Sequence, residues 1–208
     1  MSLEEQIRGG VAAMGADLPE GAIAKLAAHL LLVEKWNRVH NLTAVRSTEQ
    51  MVPLHALDSL SILSYLGEAS RLVDVGTGAG FPGIPLAIAR PAMRVTLLDS
   101  SHKKSTFLQQ AKTELPLPNV GVVCERVEAW RPDALFDVAV SRAFSDLSDF
   151  VEQARHLVAP GGRLIAMKGV HPFDEIARVP NSHRVSRVLE LTVPGLDAHR
   201  HAVFLEAA

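Results

Sequence analysis

The 208-residue sequence contains one cysteine, Cys124, and this scarcity excludes an intramolecular disulfide and any zinc site built from several cysteines. The sequence also lacks an apolar run of the roughly 20 residues that a membrane-spanning helix needs. Its first six residues are acidic and polar, whereas a secretory leader begins with a basic segment followed by an apolar one. We therefore expect a cytoplasmic protein without a membrane partner.

The sequence has no excess of positive charge and no histidine cluster. Its net charge is −2, so the molecule as a whole is not a strongly basic nucleic-acid binder. The histidines are scattered without metal-ligand spacing, and we expect no metal site. A phosphate-binding face would have to be local and assembled by folding. Its candidate residues are Arg90, Arg94, Lys103, Lys104, Arg184, Arg187 and Arg200.

Apolar periodicity divides the chain near residue 70. Before that point apolar residues recur at helical spacing, at 26–33 and again at 54–63, where the pattern predicts a helix that follows Pro53. After it come five short apolar runs that predict strands, separated by segments of helix length. The predicted strands are 72–75, 95–99, 120–123, 138–141 and 163–167, and the predicted helices are 82–90, 101–114 and 146–157.

Strands that alternate with helices predict a parallel sheet covered on both faces, and buried parallel strands have continuous apolar runs of this kind. Two further apolar segments, 185–193 and 201–205, flank a turn-rich connection and predict an antiparallel hairpin at the end of the chain. We therefore expect an α/β fold with a mostly parallel, seven-stranded sheet. Residues 1–68 would form an N-terminal helical extension packed on the main domain, residues 69–208.

A glycine-rich loop follows the first predicted strand. Gly76, Gly78 and Gly80 alternate after Asp74, which stands in the strand. Glycine allows positive φ and lets a ligand approach the backbone closely. The next helix begins near Pro82, so its free N–H groups point back into the loop. We expect Asp74 and the three glycines to contact a cofactor.

The spacing of the loop favours S-adenosylmethionine over a dinucleotide. A dinucleotide-binding loop has the spacing G-x-G-x-x-G, but Phe81 stands where its last glycine would be. The spacing found here, G-x-G-x-G, resembles the first motif of the class I methyltransferases, whose Rossmann-like fold uses the loop to wrap the methionine part of S-adenosylmethionine. The alternative is a glycine-rich turn that binds nothing.

An acidic residue at the end of the second predicted strand supports the same kind of ligand. Asp99 follows Gly76 by 23 residues, near the roughly 20 expected for an acid that binds ribose hydroxyls. A carboxylate can accept from both hydroxyls at once. The alternative is that Asp99 caps the helix that starts near Ser101, and both roles can hold together. We expect Asp99 and Ser100 to contact the cofactor.

The loops after the third and fourth predicted strands complete the candidate site. In such a fold residues 125–128 would reach the adenine, and their backbone groups could hydrogen-bond to its edge. The alternative is a solvated charged turn. Arg142 lies after the fourth strand, at the carboxyl edge where open α/β sheets carry their chemistry. The alternative for Arg142 is a structural salt bridge.

Several segments together resemble one family, the bacterial small-subunit ribosomal RNA guanine-N7 methyltransferases, also known as glucose-inhibited division protein B. The resemblance covers nearly the whole chain. Its most specific parts are W-N-x-x-x-N-L-T and G-F-P-G-I-P-L. The segments that carry it are Trp36–Thr43, His55–Ser59, Asp74–Leu86, Leu97–Ser100, Ser141–Phe144 and Lys168–Gly169.

The resemblance implies an enzyme that transfers a methyl group from S-adenosylmethionine to N7 of one guanine in the decoding-region loop of 16S rRNA. It implies cofactor contacts at Gly76, Phe81, Val127, Glu128 and Arg142. Its partner would be 16S rRNA, free or within the 30S subunit, and we expect a monomer.

Methylation at guanine N7 needs no general base, because N7 carries an in-plane lone pair and no proton. Catalysis then depends on proximity, orientation and exclusion of water. Asn41, Arg142 and Lys168 are candidates for positioning the substrate. A bidentate contact from Arg142 to the guanine would cover N7, so we expect Arg142 to hold cofactor or phosphate, or O6 alone. For Asn41 the alternative is a turn-closing role, and for Lys168 it is a solvated side chain.

Two other functions remain open at this point. One is a methyltransferase of the same fold that acts on a protein or a small molecule, which the modest net charge favours. The other is a Rossmann module that binds a nucleotide without catalysis, which the retained Asp99 allows.

The loop spacing predicts that the chain binds S-adenosylmethionine and not NAD, because Phe81 replaces the glycine that a dinucleotide loop needs. Isothermal titration should give a saturable heat with S-adenosylmethionine and none with NAD at the same concentrations. Heat with NAD alone would instead support the non-catalytic nucleotide-binding module.

Overall fold

The computed structural model describes all residues, Met1–Ala208. The helices lie in the N-terminal third and between the strands. They are α1 (Leu3–Ala13), α2 (Ala22–His40), α3 (Thr48–Met51), α4 (Asp58–Leu60), α5 (Gly83–Ala89), α6 (His102–Glu114), α7 (Leu147–Ala154) and α8 (Phe173–Ile176). The strands are β1 (Arg71–Val75), β2 (Arg94–Leu98), β3 (Val120–Val123), β4 (Phe136–Ser141), β5 (Val158–Lys168), β6 (His183–Glu190) and β7 (His201–Ala207).

All seven strands form one sheet in the order β3-β2-β1-β4-β5-β7-β6. Strands β1 to β5 are parallel, and β7 pairs antiparallel with both β5 and β6. The expected α/β fold, with a mostly parallel seven-stranded sheet and a closing hairpin, is confirmed. Strand β5 begins earlier than predicted, because Val158 already pairs with Phe136 and the intervening residues 159–162 form an irregularity in β5 that interrupts its apolar pattern.

The order of the strands fixes where a ligand can bind. The chain runs from β1 outward to β2 and β3, then returns to place β4 on the other side of β1. Connections therefore leave β1 and β4 in opposite directions, and a crevice opens at the carboxyl ends of these two strands. The glycine loop and Arg142 directly follow those two strands.

The N-terminal helices pack on the sheet domain through a continuous apolar core. One cluster of buried side chains includes Ile7 of α1, Leu30 of α2 and Leu72 of β1, together with Leu97 of β2. Helix α1 begins with a capping box, in which the Ser2 hydroxyl accepts from a backbone N–H and a glutamate carboxylate reaches back. No helix of the structure has the length and apolar character needed to span a bilayer.

The helix predicted to follow Pro53 instead begins earlier, at Thr48, where Ser47 caps it. Pro53 lies inside a π-helical turn, Val52–Leu57, that leads directly into α4. Proline has no N–H to donate, and its ring clashes with the carbonyl one turn before it, so the helix widens there. The predicted start was therefore wrong. The widened turn carries His55, and Asp58 follows it directly.

We predict that Leu30→Ala lowers the free energy of unfolding by about 3 kcal/mol, because Leu30 is fully buried where α2 meets the sheet domain. The neighbouring variant Leu31→Ala is a matched control, since Leu31 is 53% exposed, and its effect should be below about 0.5 kcal/mol. Urea unfolding, followed by circular dichroism, measures both. Equal effects of the two variants would contradict this packing of α2.

Candidate active site

The glycine loop adopts a backbone that other residues rarely tolerate. Gly76, Gly78 and Gly80 have φ angles of 70°, 61° and 86°. A Cβ atom on Gly76 would lie 2.7 Å from the Cβ of Ala143, in the loop that follows β4. The glycines therefore allow both the turn and the close approach of the two loops.

Asp74 lies beneath this loop and holds its two ends together. Its Oδ2 accepts hydrogen bonds from the Thr77 hydroxyl (2.6 Å) and the Gly83 N–H (2.7 Å), while Oδ1 has no partner. Burial raises the pKa of Asp74 to about 6, against the lowering effect of the two hydrogen bonds. Asp74 does not line either cavity described below, so its placement favours an effect on loop shape.

Asp99 anchors the glycine loop and the segment that leads into α6, but the N-cap of that helix is Ser101 and not Asp99. Its Oδ2 accepts from the Gly78 N–H at 3.0 Å and lies 3.4 Å from the Lys104 ammonium. Its Oδ1 accepts from the Ser101 N–H, and the Ser101 hydroxyl itself caps α6. The carboxylate thus joins the glycine loop to the start of α6, and it also lines a cavity.

That cavity, which we call the first cavity, has a volume of about 270 Å³ and lies at the carboxyl ends of β1, β2 and β4. It brings together five of the residues expected to contact the cofactor. They are Gly76, Asp99, Ser100, Val127 and Glu128. Residues 125 and 126 also line it, with exposed side chains, and an ion pair of 3.2 Å links Arg126 to Glu128.

A second cavity, of about 160 Å³, shares Gly76 and Ala143 with the first. Its wall includes Phe81 and Arg142, and the N-terminal segment contributes Leu42. The sequence placed Phe81 and Arg142 in the site, and the structure brings them to this cavity. The two cavities form a trough along the glycine loop, with the loop after β3 at one end and the N-terminal segment at the other.

Phe81 is held between two histidines from the N-terminal segment. Its ring centre lies 4.7 Å from that of His29 and 4.7 Å from that of His55. His29 is fully buried, and its Nε2 lies 2.9 Å from the carbonyl oxygen of Ala79, to which it donates as a neutral imidazole. Helix α2 thus supports the glycine loop from below.

Both histidines stay neutral near pH 7. Burial lowers the pKa of His29 to about 4. Burial, followed by the neighbouring Arg142 guanidinium, lowers the pKa of His55 to about 4. The Nε2 of His55 lies 2.8 Å from the Thr43 hydroxyl, and its Nδ1 lies 2.9 Å from the Leu54 carbonyl. Nδ1 therefore carries the proton, and Nε2 accepts.

Arg142 makes the salt bridge that the sequence left as an alternative. Its Nη1 donates to Oδ2 of Asp58 at 2.7 Å, and its guanidinium lies 5.6 Å from the centre of the Phe81 ring. The side chain is 23% exposed and lines the second cavity. A structural role and a ligand-facing position therefore coexist in this residue.

Lys168 is not the solvated side chain considered from the sequence. It is 10% exposed, and its ammonium donates to the Phe144 and Ser145 carbonyls and to Glu175. That interpretation is wrong, because the loop after β4 and helix α8 surround the end of β5. The three hydrogen bonds leave Lys168 little freedom to contact a substrate directly.

The asparagines of the N-terminal motif close the end of α2. Asn37 is buried and bonds the Thr43 N–H and the Val45 carbonyl. Asn41 caps the helix in the left-handed region, at φ 49°, and its side chain accepts from Arg46. These contacts favour the turn-closing role for Asn41, whose side chain is nevertheless exposed.

Four residues near the site were not identified from the sequence as site residues, namely His29, His55, Asp58 and Arg200. His55 and Asp58 are three residues apart on one helical turn, a spacing that could have indicated a shared face. Arg200 was named only as one of seven candidates for a phosphate-binding face. Of the other basic candidates, Arg94 and Arg184 lie at the opposite edge of the sheet, at the start of β2 and of β6.

The fold is shared by known methyltransferases. The structure is similar to a SAM-dependent methyltransferase from Aquifex aeolicus, with a TM-score of 0.61 and 21% identity over 76% of this chain and 93% of that one. It is also similar to the O-methyltransferase TomG from Streptomyces achromogenes, with a TM-score of 0.62 and 17% identity over 100% and 99% of the two chains. The fold is therefore that of the class I methyltransferases.

Sequence comparison gives the family within that class. The family model described as rRNA small subunit methyltransferase G, GidB, matches residues 22–203. The ribosomal RNA small subunit methyltransferase G of Nitrosospira multiformis is 52% identical over 100% of this chain and 99% of its own length. That of Chromobacterium violaceum is 53% identical over 95% of each chain. The chain belongs to the GidB family of rRNA small subunit methyltransferases.

We predict that His29→Gln reduces the acid sensitivity of the fold. Glutamine can still donate to the Ala79 carbonyl, but it does not titrate. In the wild type the pKa of His29 is about 4 when folded and near 6.5 when unfolded, so the unfolded chain binds more protons as the pH falls below 6.5. The wild type should therefore lose about 1 to 2 kcal/mol more than the variant between pH 7 and pH 5.

Urea unfolding at several pH values measures this difference. Asp74 and His55 titrate in both proteins, so their contributions cancel in the comparison. His102→Gln is the control, because His102 is exposed, and its pH profile should follow the wild type. Parallel profiles for the wild type and His29→Gln would contradict a buried, neutral His29.

Proposed function

We propose that this protein transfers a methyl group from S-adenosylmethionine to N7 of a guanine in the decoding-region loop of 16S rRNA. The observation that carries the proposal is the trough along the glycine loop, which continues past Arg142 to a cleft whose lining includes Arg142, Lys168 and Arg200. Membership of the GidB family supports an rRNA substrate.

The residues along the trough fit the parts of S-adenosylmethionine. Asp99, with the neighbouring Ser100, offers the acceptors that ribose hydroxyls need. Backbone groups of Val127 and Glu128 would bind the adenine edge. The open backbone of Gly76, Gly78 and Gly80, with Phe81 and Arg142, would surround the methionine part, and Asp74 would act through the shape of the loop. The cofactor supplies an electrophilic methyl group on a sulfonium.

The protein has no proton to remove from the acceptor, because guanine N7 presents a lone pair. Neutral His55, with its lowered pKa, fits this requirement, since it neither repels the sulfonium nor needs to act as a base. The contribution of the chain is to align acceptor and donor and to exclude water. Residues 1–68 would form the extension that covers the acceptor side, since Leu42, Thr43 and His55 line the second cavity.

We further propose that the protein acts as a monomer in the cytoplasm and that 16S rRNA, free or within the 30S subunit, is its substrate. The acceptor groups of a protein or a small molecule are the alternative. A cleft lined by cationic side chains at the end of the trough favours the polyanion.

Methyl transfer from labelled S-adenosylmethionine to unmethylated 16S rRNA or 30S subunits tests the proposal. We expect label at a guanine N7 in the decoding-region loop. Gly76→Ala should lower the rate at least about tenfold, since the added Cβ would meet Ala143. Gly161→Ala is the control: its φ is also positive, at 81°, but its Cβ would meet no atom within 4 Å. Label found only in protein or in small molecules would overturn the proposal.

A further inference from the structure

We propose that Arg200, held in place by the buried carboxylate of Asp58, binds a phosphate of the RNA next to the target guanine. This inference rests on the proposed function. It assigns Arg200 as an RNA-binding residue and Asp58 as a positioning residue shared by two arginines.

Asp58 is the connection between three parts of the chain. Its side chain is 5% exposed, and each of its oxygens binds one arginine. Oδ2 accepts from Nη1 of Arg142 at 2.7 Å, and Oδ1 accepts from Nε of Arg200 at 3.1 Å. One residue of α4 thereby fixes the loop after β4 and the residue just before β7.

The pairing leaves a positive charge at the surface. One buried carboxylate neutralises one guanidinium, but two are bound to it, and they are 23% and 22% exposed. Glu175 compensates the third nearby cation, Lys168. The excess charge therefore resides on the Arg142–Asp58–Arg200 cluster. The chain as a whole has a net charge of −2, so this local positive charge would attract an anion to this place on the surface.

The Arg200 guanidinium has an N–H donor available for a ligand in the cleft beside the trough. Its Nη1 donates to the His199 carbonyl at 2.9 Å, and Nε binds Asp58, while Nη2 makes no hydrogen bond within the protein. Arg200 lines a cleft of about 360 Å³ that also includes Gly169 and Met167. The cleft shares His55 and Arg142 with the second cavity. A group bound beside Arg200 therefore lies next to the end of the trough.

Phosphate is the ligand group that this arrangement fits. A guanidinium presents a planar set of donors that matches phosphate oxygens, and an RNA substrate carries one phosphate per nucleotide. The carboxylate of Asp58 orients the guanidinium before the RNA arrives, which reduces the ordering cost of binding. Asp58 itself is occupied by the two arginines and does not need to touch the RNA.

The test compares two arginines of the same C-terminal hairpin. Arg200 and Arg184 each pair with a carboxylate, but Arg184 lies at the opposite edge of the sheet and pairs with Glu206. We would measure the affinity of wild type, Arg200→Gln and Arg184→Gln for an unmethylated 16S rRNA transcript at several KCl concentrations, and their affinity for S-adenosylmethionine by calorimetry.

Arg200→Gln should bind the transcript about tenfold more weakly. The slope of log affinity against log salt should fall by about 0.7 to 0.9, the change expected for one lost phosphate contact. Its affinity for S-adenosylmethionine should equal that of the wild type, and Arg184→Gln should match the wild type in every measurement. Arg200→Lys should keep the salt slope and recover part of the affinity. An unchanged salt slope in Arg200→Gln would overturn the proposal.

Asp58→Asn tests the positioning role, because asparagine keeps the size of the side chain and loses its charge. The local positive charge increases in this variant, so electrostatic attraction alone would strengthen transcript binding. The positioning role predicts weaker binding instead, because the two guanidiniums lose their shared acceptor. Binding equal to or tighter than that of the wild type would overturn that role. Thermal melting reports whether Asp58→Asn folds. If it does not fold, the Arg200 variants alone test the proposal.

A wild type that methylates 16S rRNA while Arg200→Gln binds normally refutes this inference alone. A wild type that methylates neither the transcript nor unmethylated 30S subunits refutes the proposed function.

Discussion

The active-site crevice depends on a backbone turn that only glycine tolerates well, and two carboxylates hold that turn. Asp74 bonds the beginning of the turn and the first residue of α5, and Asp99 bonds its middle from the end of the neighbouring strand. Each carboxylate stands at or near the carboxyl end of a parallel strand. The sheet therefore sets the positions of the two anchors, and the anchors set the shape of the loop.

The N-terminal helices complete this arrangement from outside the sheet. His29 supports the Ala79 carbonyl, Phe81 is held between two neutral rings, and Asn37 closes the chain segment that leads to Thr43. A charged imidazole beside Phe81 would lose its hydration by burial, and a neighbouring group would repel it, His55 in the case of His29 and Arg142 in the case of His55. The low pKa values of His29 and His55 thus follow from the same packing that makes the site rigid.

The regular parts of this architecture could be predicted from the sequence because each carries a local signal. Buried parallel strands have continuous apolar runs, and the glycine spacing and Asp99 follow two of them directly. The start of the helix around Pro53 was mispredicted, since a π-helical turn accommodates the proline without ending the helix. The two ion pairs of Asp58 could not be predicted. Its arginine partners lie 84 and 142 positions further along the chain, and no local sequence pattern indicates a contact over such a separation.

The same long-range pairing explains how a chain with a slight negative charge can carry a site for a polyanion. Arginines that are far apart in the sequence produce a joint positive potential only where folding brings them close together. Most of the basic candidates named from the sequence are not brought together. Arg94 and Arg184 lie at the far edge of the sheet, and Arg90 bonds the Gly67 and Leu63 carbonyls. Only around Asp58 do two guanidiniums share one buried carboxylate, and there the unneutralised charge lies next to the end of the trough along the glycine loop. The net charge depends only on composition, whereas the attraction for an anion depends on where folding places the arginines. An RNA substrate would therefore be attracted by the local positive charge around Asp58 and not by the charge of the whole chain.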